Sequence, residues 1–439
     1  MCTRKLTACV PAGYWYLPPS NPLVPCSSFC LLLALVVFCL FFRRRLYRYD
    51  PHDPQHMCNR KRPIKIIIYT PWLKRKIHDI FNFLLCFGVI VPAALVFARQ
   101  LNTCASVVDS KLPTNLNSGT PSDYHLAYRW LYTLVYRPDT FFTQPSLMER
   151  AGCEVFLYHK ELAVHLYYFV FVDVLFYFIY VLQGSTWLID PHWQLLPMCM
   201  SVFYFLHPDA THNLEHHPRA LLTFGLVMLW ALRLLHNYFR REEWHFGARE
   251  DWRYANMRKQ HGVFFIFTQF FVVSLAQHGM LVGLTLPLSQ AMLSGGSPLN
   301  WIDGVALLLC VSGIAIGFIA DNQLHAYMST PNKPLLFETG LWKYSRHPNH
   351  FGEQTWWMGL LLFGVAASAK SNGGLLSLAT WWPIAFGVLF NHPLDTFVTL
   401  PLIEHRMLRR PERVKVYKEY QARTSLLFPL PPKRKRKIR

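Results

Sequence analysis

Charged side chains are scarce. Only 16% of the 439 residues carry Asp, Glu, Lys or Arg, against 52% hydrophobic and 15% aromatic residues. A soluble domain usually carries about 25% charged residues. The deficit argues against an ordinary soluble globular chain and, with long apolar runs, indicates a polytopic membrane protein. Metal-type and redox-type cysteine spacing is also missing. The 11 cysteines are scattered, with no CxxC pair and no Cys/His spacing of a zinc site. Most therefore read as small apolar residues. No GxGxxG follows a strand and no P-loop occurs, so neither common phosphate-cradling loop is available. No internal repeat is seen.

Acidic residues are the scarcer sign, 25 against 44 Lys and Arg, and the resulting charge of +19 is concentrated. From Glu404 to Arg439 there are 13 Lys/Arg and 3 Asp/Glu; from Arg43 to Lys76 there are 11 Lys/Arg. Both blocks flank apolar runs. They read as cytosolic segments beside an anionic leaflet, not as a nucleic-acid surface.

Apolar runs place nine expected spans near 28–42, 79–98, 161–182, 192–207, 220–239, 262–288, 301–320, 355–369 and 375–392. The run 192–207 is the weakest and reads equally as a re-entrant segment. The motif RRRLYR follows the first run, so that run is expected to be a stop-transfer anchor with a lumenal N-terminus. Alternation then puts 240–260, 321–354 and the C-terminal tail in the cytosol. The polar stretch 100–158 becomes a lumenal loop, in which Cys104 and Cys153 could be bridged. The expected organisation is an N-terminal region 1–158 with two spans, an all-α membrane domain 159–432 and a basic tail 433–439. Lys435 and Lys437 stand five and three positions from the end, the spacing of a dilysine-type retrieval signal or simply part of a polybasic tail.

Polar residues gather in a few places. In GLWKYSRHPNHFGEQTWWMG, Gly340 and Pro348 break helix and leave Arg346, His347, Asn349, His350 and Glu353 at the mouth of a span. Free N–H groups at a helix start favour phosphate, Arg346 and His347 add donors, and Glu353 can accept from an amide or ribose hydroxyl. A plain N-cap with interfacial Trp356 and Trp357 is the alternative. Asp321, Asn322, Gln323 and His325 end the preceding span. Arg233, His236, Asn237 and Arg240 recur at three- and four-residue steps, which makes one polar helix face. In a membrane such a face must look into protein or a water-filled cavity unless its long side chains snorkel. His165 and Asp173 lie within the third expected span, as a satisfied buried pair or a substrate contact.

RLLHNYFRREEWHFGAREDWRY, ADNQL, ETGLWKYSRHPNHFGEQTWW, PLIEHRMLRRP and YQARTSLLFP occur in that order. Together they resemble the membrane proteins with a steroid 5-alpha-reductase C-terminal-type domain, over roughly residues 160–432. The resemblance implies an NADPH-dependent reductase of a carbon–carbon double bond conjugated to a ketone, acting on a sterol or other hydrophobic lipid; the KRKIR end makes the endoplasmic reticulum membrane the expected location. It implies cofactor contacts by Asn349 and Glu353 of the NxxxE pattern, by Asp321, and by Tyr420 and Arg423 of the tail. Arg346 and His347 belong to the same loop. NYFRR resembles the Tyr–Phe–x–Arg run of the reductases, which implies Tyr238 as the catalytic donor near the substrate carbonyl and Arg241 beside the cofactor. His350 stands where those proteins more usually carry Tyr, and residues 1–150 match nothing in them. No metal is implied. Two alternatives stay open: a methyltransferase using S-adenosylmethionine, whose membrane members carry an RHPxYxG-like motif, and a non-enzymatic lipid-binding or scaffold protein on the same fold.

Overall fold

A computed structural model describes residues 71–109, 153, 160–207, 218–247, 249–293, 298–368 and 378–433. The first expected span, most of the 100–158 loop and the Lys435/Lys437 pair lie outside the described residues. The larger of two compact units takes in Ile67–Tyr180 and Ser185–Arg439, and with it every candidate site residue; Val181–Gly184 belong to the smaller one.

The described residues are helical, with one isolated bridge between Ser345 and Ser425. In chain order the helices are α1 (Pro71–Asp109), α2 (Lys160–Tyr168), α3 (Val174–Gln183), α4 (Ile189–Leu206), α5 (Pro218–Arg241), α6 (Trp252–His261), α7 (Phe265–Thr268), α8 (Ala276–Leu293), α9 (Trp301–Ser329), α10 (Pro348–Ser368), α11 (Leu378–Leu394), α12 (Leu400–Leu408) and α13 (Pro411–Arg423). Three π-helical turns interrupt this order: Phe169–Asp173 after α2, Gln269–Leu275 after α7 and Asp395–Thr399 after α11.

Four helical stretches among the described residues are long and apolar enough to cross a membrane: Arg75–Leu95, Pro218–Arg241, Trp252–Leu293 and Trp301–Ser329. The expected count of nine is therefore not established. The run 161–182 is one continuous helical run with a π turn, Phe169–Asp173, in its middle. The 18-residue α4 carries Asp190, His192, Gln194 and an internal Pro197. The first turns of α10 carry His350, Glu353 and Gln354, and α11 has only 17 residues. Apolar side chains such as Leu229, Leu308 and Phe267 point outward from the bundle. That disposition suits a lipid environment and would be costly in water.

The tightest packing joins α9 to α10. A Cβ added at Gly313 would lie 2.6 Å from the Trp356 nitrogen, and one at Gly352 would lie 2.7 Å from the Gly317 nitrogen. Glycines let the two backbones touch, the close approach that membrane helices favour because lipid tails provide no hydrophobic drive. At the first turns of α5 and α9, Arg219 grips Asp303 with Nε–Oδ1 at 2.7 Å and Nη2–Oδ2 at 2.8 Å, both residues buried. Asp303 also completes the capping box with Asn300 that starts α9.

Candidate active site at the loop before α10

The polar face of α5 turns inward at Arg233, while His236 on the same face is exposed. Arg233 donates from Nη2 to Glu353 Oε1, and its Nη1 lies 3.4 Å from Asp321 Oδ2. Trp230, one turn earlier, donates its indole N–H to Glu353 Oε2 at 2.8 Å and stacks on Trp356, with ring centroids 5.5 Å apart. Two turns on from Arg233, Arg240 donates to Asn322 Oδ1 at 2.6 Å and to Asn237 Oδ1 at 2.9 Å. The requirement that a polar stripe on a membrane helix find polar partners is met by α9 and α10. Gly317 makes the room: a Cβ there would collide with the Arg233 guanidinium. Asn349 shares a face with Glu353, four residues apart on α10. Its Oδ1 is buried and has no hydrogen-bond partner. The structure thus brings Asp321 and Glu353 together on Arg233, with Asn349 one turn before Glu353 on α10.

The same loop is stitched to the C-terminal tail, and this uses up other candidates. Arg346 reaches Glu404 with Nε–Oε1 at 2.5 Å and donates from Nη1 to the carbonyls of Thr424 (2.5 Å) and Gln421 (3.2 Å). His347 Nε2 lies 3.4 Å from Glu404 Oε1. The Tyr420 hydroxyl donates to the Trp342 carbonyl, and Arg423 pairs with Glu338. Main-chain bonds from Arg346 to Ser425 and from Leu430 to Tyr344 complete the seam. These four residues therefore clamp tail to loop, while the Nε of Arg423 stays buried without a hydrogen-bond partner. At the other edge Gln323 Oε1 accepts from the Leu341 N–H at 3.0 Å, beside Gly340 with its φ of +61°. His350 lies 3.0 Å from Asp395, which Gln354 also contacts.

Burial alone would raise the Glu404 carboxyl; hydrogen bonds from His347, Arg346 and Gln421 outweigh it and hold it at about 2. A carboxylate held below its unfolded value stabilises the fold above about pH 4.5 and loses that contribution as pH falls toward 2. Protease resistance of the tail is expected to fall across that window, and Glu404→Gln is expected to flatten the dependence. A tail whose resistance is constant from pH 6 to pH 3 would show that Glu404 does not hold it.

Tyr238 and Arg241 lie elsewhere. Five residues separate Arg233 from Tyr238, a rotation of about 140° around α5. The Tyr238 hydroxyl points toward the Trp187 carbonyl, 3.5 Å away, and the Arg241 guanidinium sits 5.3 Å from its ring centre. Arg241 pairs with Glu242 and Asp190. The structure does not bring these two residues to the loop that holds Asn349 and Glu353.

Glu404, Trp230 and Asp395 were not visible as partners in the sequence. Each stands alone in an apolar or basic surrounding, and only the fold shows which charge it meets.

Residues 176–424 match the family described as DUF1295, a protein of unknown function. An uncharacterised protein of Schizosaccharomyces pombe is 28% identical over 268 residues, which are 56% of this chain and 73% of that relative. No solved structure matches. The family match covers more than half of the chain and takes in the Arg233 network, the loop and the tail clamp. The chain belongs to the DUF1295 family.

Proposed function

We propose that the protein is a membrane reductase that binds NADPH at the loop before α10 and saturates a conjugated carbon–carbon double bond in a sterol or other hydrophobic lipid. The observation that carries this reading is the buried, unpartnered Oδ1 of Asn349, on the same face as Glu353. A buried amide oxygen without a partner forfeits about 1–3 kcal/mol, which a bound amide or hydroxyl donor would recover. The resemblance of the surrounding motifs to the steroid 5-alpha-reductases supports NADPH as that donor. Asn349 would bind the cofactor, while Arg233 would hold the Glu353 and Asp321 carboxylates in place for amide or ribose hydroxyls. NADPH supplies hydride chemistry when bound; the protein positions it and keeps water out.

A lipid would approach from the bilayer. A cavity of about 460 Å³ opens between α5 and α9, walled by Leu229, Leu232, Val311 and Phe318, and it reaches Arg233 and His236. Its lining is almost wholly apolar, which suits a hydrocarbon body. The proposed location is the endoplasmic reticulum membrane with the loop and C-terminus cytosolic. The Cys104–Cys153 disulfide supports this orientation. Disulfides persist in oxidising compartments such as the lumen, and Cys104 lies 29 residues along α1 from Arg75. That is about 44 Å of helix, more than a hydrocarbon core of about 30 Å.

Binding of NADPH to the purified full chain, followed by its fluorescence, tests the reading. Asn349→Ala and Glu353→Ala are each expected to weaken binding by about tenfold to a hundredfold, the worth of a lost hydrogen bond to a charged or buried group. Affinities of both variants within twofold of wild type would remove the loop as the cofactor site. Binding of S-adenosylmethionine in place of NADPH would turn the reading to methyl transfer.

A further inference from the structure

The cavity between α5 and α9 has two chemically different ends. The helices run side by side in the same direction: Arg219 meets Asp303 in their first turns, and Arg240 meets Asn322 further along both. Leu229, Leu232, Arg233 and His236 line the cavity from α5, and Val311 and Phe318 bound the stretch of α9 that faces them. The three- and four-residue steps on α5 mark a single helix face. From Leu229 to His236 the lining extends about 10 Å along the axis. Leu229, Leu232, Val311 and Phe318 are each about half exposed, so the apolar wall is open at the side of the bundle. Arg233 and His236 are the lining residues of α5 nearest its basic end, Arg240 and Arg241.

Three observations make His236 the group at that end that is ready for a ligand. First, its ring nitrogens have no hydrogen-bond partner among the described residues. Arg233 differs: its charge is shared between Asp321 and Glu353. Second, the His236 ring is held in place. Trp244 stands edge-on to it, with ring centroids 6.1 Å apart, and stacks on Phe239. The chain bends sharply to bring Trp244 there, with φ of +53° at Glu243 and +58° at Trp244. Such angles are costly for a bulky residue and persist where surrounding contacts hold them. Third, the depth is right. Basic residues at a helix end belong at the membrane surface. His236 lies little more than one turn inside that end, and Leu229 more than three turns. A lipid with its oxygen at His236 and its hydrocarbon toward Leu229 would keep the orientation it has in the leaflet.

We infer that His236 receives the ketone oxygen of the lipid and sets which lipids the cavity accepts. This deepens the proposed function and rests on its seating of the lipid between α5 and α9. An imidazole carries an N–H whether neutral or protonated, so the ring has a donor for a carbonyl oxygen in either state. The ligand class is a neutral oxygen on a hydrocarbon body. A carboxylate or phosphate head group would find no spare charge on Arg233, which two carboxylates already engage. Residues three apart on a helix are surface neighbours, about 5–6 Å between Cβ atoms. A ketone held at His236 therefore keeps its conjugated carbons beside Arg233, whose partner Glu353 belongs to α10 next to the loop. His236 is a specificity residue in this assignment.

The test uses the full chain in phosphatidylcholine nanodiscs, a radiolabelled sterol 4-en-3-one, the matching 3-deoxy hydrocarbon and the matching 3-carboxylate. Wild type is expected to bind the ketone about fivefold more tightly than the deoxy compound, the worth of one net hydrogen bond. The carboxylate is expected to bind no better than the deoxy compound. His236→Phe keeps a ring without a donor and is expected to bind ketone and deoxy compound equally. His236→Gln restores a donor and is expected to recover the preference, which a purely steric ring would not explain. Leu232→Trp fills the groove and is expected to abolish saturable binding of both. His236 is exposed, so its replacement should leave the fold intact; if the Phe variant does not fold, His236→Leu carries the same expectation. Equal binding of ketone and deoxy compound by wild type, no saturable ketone binding, a preference retained in a folded Phe or Leu variant, or binding indifferent to Leu232→Trp would each overturn the inference. NADPH binding is measured on the same samples. NADPH binding without ketone preference would overturn the role of His236 and leave the cofactor reading standing. Ketone preference without NADPH binding would uphold His236 and remove the cofactor reading.

Discussion

Gly352→Val is expected to prevent folded protein from accumulating. A Cβ at this position meets backbone on every side: 2.7 Å to the Gly317 nitrogen, 2.8 Å to the Gly313 carbonyl oxygen and 3.1 Å to the Gly317 Cα. Backbone atoms in the middle of a helix cannot rotate away as a side-chain tip can, so α9 and α10 would have to separate. Overpacking among side chains already costs about 1–3 kcal/mol; a wedge between two backbones should exceed that range. The separation would also pull Asp321 and Arg233 away from Glu353. Gly304→Val is the control, because a Cβ at Gly304 meets nothing within 4 Å on the same helix α9. Size-exclusion profiles of fluorescently tagged chains give the readout. The expected result is loss of the monodisperse peak for Gly352→Val and its retention for Gly304→Val. A normal peak with an unchanged melting temperature for Gly352→Val would mean that the two helices do not pack on this seam.

Much of this arrangement was legible in the sequence, for reasons specific to each residue. The spacing of Arg233, Asn237 and Arg240 could be read because a helix repeats every 3.6 residues and a membrane helix cannot leave charge facing lipid. Asn349 and Glu353 follow Pro348 at the start of α10, so their shared face follows from four-residue spacing alone. The Cys104–Cys153 bridge was raised from the expected lumenal loop and is present. The span count was less readable. Hydropathy registers an apolar run but not the length of the helix that carries it, and α11 has only 17 residues. Arg346 and His347 resemble anion ligands in the sequence because they stand just before a helix start. Glu404, the carboxylate that takes both, lies 58 and 57 residues further on. No local pattern announces a partner at that distance. Tyr238 was carried by a short motif, and the helical rotation from Arg233 already turns it to another face. Asp173 meets His192 of α4 and His278 of α8, not the His165 that sequence spacing sets beside it, because its partners come from other helices.

Arg233→Met is expected to cost about 3 kcal/mol of stability and to weaken NADPH binding. The guanidinium is buried and is the cation that the structure pairs with both Asp321 and Glu353. Removing one partner of a buried ion pair costs about 3–5 kcal/mol, because the charge left behind has neither water nor a counter-ion. The lower end applies here, since the Glu353 side chain is 27% exposed and partly solvated. A structural role and a cofactor role can be separated. Arg233→Met combined with Asp321→Asn and Glu353→Gln removes the stranded charges along with the cation. Replacing a buried ionic group as a whole is often close to neutral for stability, so the triple variant should recover most of the melting temperature. It should not recover NADPH affinity, because the carboxylates proposed to accept from the cofactor are gone. Recovery of both would make the Arg233 network a packing device with no part in binding. An Arg233→Met variant that keeps wild-type stability would show that Asp321 and Glu353 are neutral or hydrated, and the arrangement around Asn349 would then need another source of its order.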